Sequence, residues 1–185
     1  MGVIELILIS VGLAMDAFAV SLGKGLSARN VTPRHALIVG GWFGGFQGLM
    51  PIVGYLLGRS FSDIVVSVDH WIAFVLLGLI GLNMVREAIW GDEEQHNADF
   101  GPRAMFLMAI ATSIDALAVG VTMAFLDVNV WIASSTIGVI TFIISVVGLY
   151  LGSRAGAKLG DKAGILGGLI LIAIGIKIVI EHLFF

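Results

Sequence analysis

Long apolar runs separated by short polar stretches make up almost the whole chain. A helix that crosses a lipid bilayer needs about 20 mostly apolar residues. Runs of that length occur along the entire sequence, and the second and fifth of them contain no charged residue. The chain therefore predicts six membrane-spanning helices, at Gly2–Gly23, Ala36–Gly58, His70–Trp90, Ala104–Leu126, Val128–Ser153 and Ala163–Leu183.

The first half of the chain resembles the second half. The segment MDAFAVSLG, from Met15, resembles IDALAVGVT, from Ile114, and the alignment pairs Asp16 with Asp115. GYLLGR resembles GLYLGSR and IGLNMVRE resembles IGIKIVIE, in the same order. Each copy would hold an odd number of helices, so the copies would cross the membrane in opposite directions, as in many secondary transporters. We predict an all-α integral membrane fold of two inverted three-helix repeats, residues 1–90 and 104–185, joined by an acidic linker, residues 91–103.

Composition excludes several classes of protein. The chain is 58% hydrophobic and 12% charged, and a soluble domain usually has about twice that charged fraction. Its net charge of −3 and its lack of a large basic face argue against nucleic-acid binding. The absence of cysteine removes disulfides and thiolate metal sites. No nucleophile and base form a recognisable catalytic set, so neither an enzyme nor a bound cofactor is expected.

Lysine and arginine in the loops predict the orientation of the chain. Cytoplasmic loops of membrane proteins carry an excess of these residues. One side of the predicted bundle collects nearly all of them, whereas the other side has Arg59. We expect the basic side to be cytoplasmic and both termini to be outside. The basic side holds Lys24, Arg29 and Arg34 after the first span, Arg86 and Arg103 around the linker, and Arg154, Lys158 and Lys162 after the fifth span.

Two aspartates lie within predicted spans. Asp115 has eleven residues on each side, which places it near the middle of the bilayer, while Asp16 lies closer to the cytoplasmic end. A carboxylate at such depth costs on the order of 3 kcal/mol, and intramembrane carboxylates usually mark ion paths. A structural aspartate, protonated or hydrogen-bonded, is the alternative. The matched positions in the two repeats favour an ion site.

Neutral oxygen donors accompany the aspartates. Gln47 is central in the second span, Thr141 is its repeat equivalent in the fifth, and Thr112 shares a helix face with Asp115. Pro51 removes one helical hydrogen bond and can free a carbonyl near the site. Two carboxylates with neutral oxygens suit Mg²⁺, Ca²⁺ or Mn²⁺. The lack of cysteine and of a central histidine argues against selectivity for Zn²⁺ or Cu⁺.

Four further polar residues are candidates for gating or coupling. Asn83 and Lys177 are repeat equivalents, and so are Glu87 and Glu181. Lys177 and Glu181 can pair one turn apart on a helix, so a structural role is favoured for them over gating.

Several segments resemble the MntP-type manganese efflux pumps of bacteria, which are placed in a larger lysine-exporter-like group. They are MDAFAVSLGKG, FGGFQGLMPIVGYLLG, HWIAFVLL, SIDALAVGV and ILGGLILIAIG. The resemblance implies Mn²⁺ export across the bacterial inner membrane, with Asp16 and Asp115 as the family's intramembrane aspartates. It also implies that a carboxylate or amide is typical at Gln47, where some relatives have glutamate. Proton antiport is plausible because no nucleotide-binding motif occurs.

Other functions stay open on the sequence alone. An exporter of an amino acid or another small organic cation would need a roomier, more aromatic site, whereas the central faces here are small and aliphatic. Another divalent metal could replace Mn²⁺, and a non-transporting scaffold would leave the aspartates unexplained. The expected partners are a divalent metal ion and the lipid bilayer, and a homo-oligomer is compatible with the sequence.

Overall fold

A computed structural model describes residues 2–28, 30–60, 100–126 and 128–159, together with residues 169, 172 and 176. The described ranges form long helices and contain no strand: α1 (Val3–Ser27), α2 (Pro33–Ser60), α3 (Pro102–Met123) and α4 (Val130–Leu159). Each helix is long and apolar enough to cross a membrane.

The prediction of an all-helical, multi-pass membrane protein is confirmed for these helices, which correspond to the first, second, fourth and fifth predicted spans. The third and sixth spans, His70–Trp90 and Ala163–Leu183, lie outside the described residues, apart from residues 169, 172 and 176. The linker is described only from residue 100 onward.

Polar side chains bond to N–H groups at the starts of α1, α2 and α4. In α1, Glu5 accepts a hydrogen bond of 2.8 Å from the Gly2 N–H, and an acidic residue in the first turn suits the helix dipole. Before α2, the Thr32 N–H donates to His35 Nδ1 and the His35 N–H donates to Thr32 Oγ1, both at 3.4 Å. Asn129 Oδ1 accepts from two N–H groups in the first turn of α4. These bonds satisfy N–H groups that have no partner within the helix.

The placement of Lys24 in a cytoplasmic loop was wrong. α1 continues to Ser27, and Lys24 is buried, with 2% of its surface exposed. Its Nζ lies 5.0 Å from the centroid of the Phe100 ring, and that ring stacks on His35 at 4.3 Å. The aromatic ring contributes to this burial, because it attracts the ammonium group through a cation–π contact.

α2 and α4 cross at two glycines. A Cβ added at Gly44 would lie 2.7 Å from the Gly138 carbonyl oxygen, and one added at Gly138 would lie 2.9 Å from the Gly44 carbonyl oxygen. On either side of this crossing, Gly48 contacts Ser134 and Gly40 contacts Phe142. Residue numbers rise along α2 as they fall along α4, so the two helices are antiparallel. Small residues allow this close approach of backbones.

The other two main interfaces join parallel helices. Along α1 and α4, Phe18 meets Gly148 and Leu22 meets Gly152. Along α2 and α3, the corresponding contacts are Gly54 with Leu117 and Gly58 with Val121. Because α1 is parallel to α4, α4 antiparallel to α2, and α2 parallel to α3, helices α1 and α3 run in opposite directions.

Buried apolar side chains form two clusters, one toward each end of the helices. Phe43 of α2 and Leu149 of α4 belong to the first cluster, whereas Ile137 of α4 belongs to the second, which Tyr55 of α2 also contacts. The middle of α2 and of α4 lies between these clusters along the chain. The first cluster also holds Ala17, Val20, Ala36, Val39, Met105, Met108, Ala109, Ala111 and Ile114.

Candidate metal-transport site

The two predicted carboxylates lie on the antiparallel helices α1 and α3. Asp16 is half-buried on α1, between the fully buried Ala14 and Ala17. Asp115 is exposed on α3, although its neighbours Ile114 and Ala116 are buried. Both aspartates therefore sit in the apolar, membrane-crossing part of a helix, beside small side chains that leave room for other groups.

Gln47 joins α2 to the aspartate-bearing helix α1. Its side chain is fully buried, and its Nε2 donates a hydrogen bond of 2.9 Å to the Leu13 carbonyl oxygen. A helical carbonyl points toward the C-terminal end of its helix, so this bond holds the amide close to the turn that carries Asp16. The Oε1 atom of Gln47 has no hydrogen-bond partner among the described residues.

Pro51 lies inside α2, one turn after Gln47. Proline has no N–H group, so it cannot donate the helical hydrogen bond to the Gln47 carbonyl. Gln47 thus offers both a side-chain oxygen and a main-chain oxygen that the helix itself does not satisfy. Buried polar groups in proteins are nearly always paired, and exceptions are expected where a ligand or water binds.

The two predicted threonines differ in how their hydroxyls are used. Thr112 on α3 is 2% exposed, and its Oγ1 donates to the Met108 carbonyl at 3.0 Å. Its remaining lone pairs can still face a cation. Thr141 on α4 is fully buried, and its Oγ1 has no hydrogen-bond partner.

Two serines of α4 share this unpartnered state and were missed as site residues. Ser134 and Ser145 are buried, at 3% and 0% exposure, and neither Oγ has a hydrogen-bond partner in the residues that the structure describes. The sequence places both on the helix face of Thr141 by their spacing. That spacing was the only signal that could have identified them, because serine is also common as a packing residue.

The described residues bring some of the predicted site together. The hydrogen bond to Leu13 brings Gln47 to α1, and α1 and α3 share the first apolar cluster through Ala17 and Ala109. The sharing of one ion by Asp16 and Asp115 stays a prediction.

Within the described ranges, no three His, Cys, Asp or Glu side chains form a metal-binding group. The four candidates for gating lie outside the described residues: Asn83, Glu87, Lys177 and Glu181.

Comparisons with known proteins identify related chains. A family model described as "Putative manganese efflux pump" matches residues 30–179. A protein of Acetivibrio thermocellus named as such a pump, MntP, is 52% identical, over 99% of this chain and 93% of its own length. Proteins with the same name are 51% identical in Desulfitobacterium hafniense, over 100% and 98% of the two chains, and 53% identical in Campylobacter jejuni, over 98% and 97%. No solved structure matches the chain.

Proposed function

The chain belongs to the MntP family of manganese efflux pumps, and we propose that it is a secondary transporter that exports Mn²⁺ from the bacterial cytoplasm across the inner membrane. The single observation that carries this proposal is the Gln47 side chain. It is fully buried, is held at α1 close to Asp16, and presents an unpartnered oxygen. An oxygen in that position suits a cation bound at the aspartate.

The proposed ligands are oxygen atoms from four helices. Asp16 and Asp115 supply the negative charge, and Gln47, Thr141 and Thr112 supply neutral oxygens. Oxygen donors suit Mn²⁺, Mg²⁺ and Ca²⁺ better than softer metals. The transported ion is the substrate and has to leave again, which is compatible with a site that has few charged ligands.

The proposed topology is six spans in two inverted repeats, with both termini outside. The parallel direction of α2 and α3 is the one that the proposed third span would produce, and it supports that span. The exposed Arg34 and Arg103, at the starts of α2 and α3, and Arg154, near the end of α4, then lie on one side. The positive-inside rule makes that side cytoplasmic.

The helix contacts also support the inverted repeat. Aligning the repeats pairs Gly54 with Gly148 and Leu117 with Phe18. The contact of Gly54 with Leu117 in one interface therefore corresponds to the contact of Gly148 with Phe18 in the other. The same alignment pairs Gly44 with Gly138, and these two glycines contact each other at the α2–α4 crossing. Equivalent residues beside a two-fold axis that relates the two repeats would do the same.

The proposed mechanism is alternating access coupled to proton entry. Two bare carboxylates repel each other where the dielectric constant is low. One divalent cation neutralises both charges, and so do two protons. The empty site would therefore take up protons while it is open to the outside, before it opens again toward the cytoplasm. Each Mn²⁺ released would be exchanged for protons.

Transport by purified protein in liposomes tests this proposal. Asp16→Asn and Asp115→Asn should each abolish Mn²⁺ export, because an amide keeps the shape of the carboxylate but not its charge. Glu5→Gln is the matched control, since Glu5 lies at the start of α1 and bonds to Gly2. Its export rate should equal that of the unmodified protein, and an outward Mn²⁺ flux should rise with an inward proton gradient.

The same assay separates the alternatives. Normal export by either aspartate variant would overturn the site, and a flux that ignores an imposed pH gradient would overturn proton exchange. Competition by Mg²⁺, Ca²⁺ and Fe²⁺ ranks the metals. Export of lysine or arginine without Mn²⁺ flux would support the organic-cation function instead.

A further inference from the structure

Most helical hydroxyls in the described residues bond back to their own helix. Ser10 and Ser21 on α1 each donate to the carbonyl four residues earlier at 2.6 Å. Thr112 on α3 and Thr136 on α4 do the same, at 3.0 and 2.9 Å. This arrangement is the usual one for serine and threonine in apolar helices, because the hydroxyl is satisfied without leaving its own backbone.

Three hydroxyls of α4 break this rule on one helix face. Ser134, Thr141 and Ser145 are at most 3% exposed, and within the described part of the chain none of their oxygens has a hydrogen-bond partner. The spacings of seven and four residues place them in one row along the helix. The row is about 16 Å long, which is roughly half of the hydrocarbon thickness. Its hydroxyls point into the space between helices instead of onto their own backbone.

The inner end of this row lies level with Asp16. Ser145 precedes Gly148 by three residues, and Gly148 contacts Phe18 and Ser21 of the parallel helix α1. The turn that carries Asp16 likewise lies three residues before Phe18 on α1. Ser145 is therefore the hydroxyl of the row that lies closest in height to the proposed ion site.

The opposite end of the row lies near the outer end of α4. Ser134 is four residues from Val130, where the helix begins. Its main chain contacts Gly48, the residue after Gln47, and it borders an open groove between α2 and α4. This end of the row is thus packed against α2, the helix that carries Gln47.

We propose that Ser134, Thr141 and Ser145, with the Gln47 side-chain oxygen, line the path by which a hydrated divalent cation leaves the Asp16 region toward the outside. This inference rests on the proposed function and adds the release route to it. Unpaired buried hydroxyls are unfavourable, and an apolar residue would avoid that cost. The row is therefore explained by water and ions that reach it when the outer side opens.

The chemistry of the row suits release. The three hydroxyls and the Gln47 side-chain oxygen are neutral, so they replace part of the hydration shell of the cation without adding a charge that would trap it. Conduction requires that binding along a path be weak and spread over several positions. A cation that leaves a carboxylate would meet such positions in sequence.

Single cysteines test the path directly, because the chain contains no cysteine. Ser134→Cys and Ser145→Cys should react from the outside with a hydrophilic thiol reagent, since only water-exposed thiols form the reactive thiolate. Mn²⁺ should slow both reactions. Thr136→Cys is the matched control on the same helix, because Thr136 is half-buried on the side of α4 opposite to the row and its native hydroxyl bonds to Ile132. It should label slowly, with no effect of Mn²⁺.

Transport by alanine variants gives a second readout. Ser134→Ala and Ser145→Ala should each slow Mn²⁺ export, on the order of tenfold in the double variant, which corresponds to about 1.4 kcal/mol. Thr136→Ala should export at the normal rate. If an alanine variant does not reach the membrane, the cysteine variants, which nearly conserve the serine shape, carry the test.

The outcomes separate this inference from the proposed function. If the unmodified protein exports no Mn²⁺, the proposed function fails. If it exports Mn²⁺, but the serine variants label and transport like Thr136 variants, the path alone is wrong. Labelling at Ser145→Cys that Mn²⁺ does not slow would also overturn the path.

Discussion

Gly44→Ala tests the close crossing of α2 and α4, with Gly45→Ala as its control. A Cβ added at Gly44 would lie 2.7 Å from the Gly138 carbonyl oxygen and 2.9 Å from the Phe142 Cβ. A Cβ added at the adjacent Gly45 would meet nothing within 4 Å. The two variants thus make the same chemical change at neighbouring positions, and only one of them forces two backbones apart.

The expected magnitude follows from this geometry. Ordinary van der Waals contact begins at 3.4 Å, so α2 and α4 would have to separate by about 0.7 Å near the crossing. Overpacking of this kind costs about 1–3 kcal/mol. Replacing glycine by alanine within a helix contributes up to about 1 kcal/mol of stability at both positions. This gain in helix propensity is the same in both variants, so it cancels when they are compared. Gly44→Ala should therefore be less stable than Gly45→Ala by about 1–3 kcal/mol.

Thermal unfolding of the purified protein in detergent measures the difference. For a chain of this size, 1 kcal/mol corresponds to about 2–4 °C in the midpoint, so the two variants should differ by about 2–12 °C. Gly45→Ala should unfold at or above the midpoint of the unmodified protein. Equal midpoints for the two variants, or a lower midpoint for Gly45→Ala than for Gly44→Ala, would refute the crossing geometry.

Two further variants test other contacts. Phe100→Leu should lower stability by about 1–3 kcal/mol, because it removes a ring that contacts Lys24 and stacks on His35. The control Phe125→Leu, at a position 65% exposed, should change the unfolding midpoint little. Equal losses of stability in the two variants would contradict the contact. Pro51→Ala should raise the unfolding midpoint, because it supplies an N–H group for the Gln47 carbonyl one turn earlier. It should also slow Mn²⁺ export, because that carbonyl is then no longer available to the ion. An unchanged midpoint would show that the carbonyl is already satisfied.

The sequence predicted the presence of the helices better than their ends. The apolar runs identified all four described helices, since length and hydropathy decide whether a segment can span a bilayer. The first span was ended at Gly23 because Lys24 follows, whereas α1 continues to Ser27. Backbone hydrogen bonding carries the helix past the charge, and the ring that covers Lys24 comes from a residue 76 positions later in the chain.

The partners of the site residues could not be predicted. Counting residues placed Gln47 and Thr141 in the middle of their spans, and both are fully buried. The bond from Gln47 to Leu13 depends on how two helices pack, which periodicity does not specify. The same holds for hydroxyls, because Ser21 bonds to its own helix and Ser145 does not. The rotamer that decides between these states is set by the neighbouring helix.

The glycine pair at the centre of the bundle has a consequence for how related sequences vary. Two residues in contact usually leave a statistical trace, since an enlarged side chain at one position is tolerated when its partner becomes smaller. Gly44 and Gly138 cannot leave that trace, because neither partner can become smaller than glycine. This contact between the two halves should therefore be silent in covariation, and the nearby pair Gly40 and Phe142, where one member has a side chain to lose, should carry the signal instead.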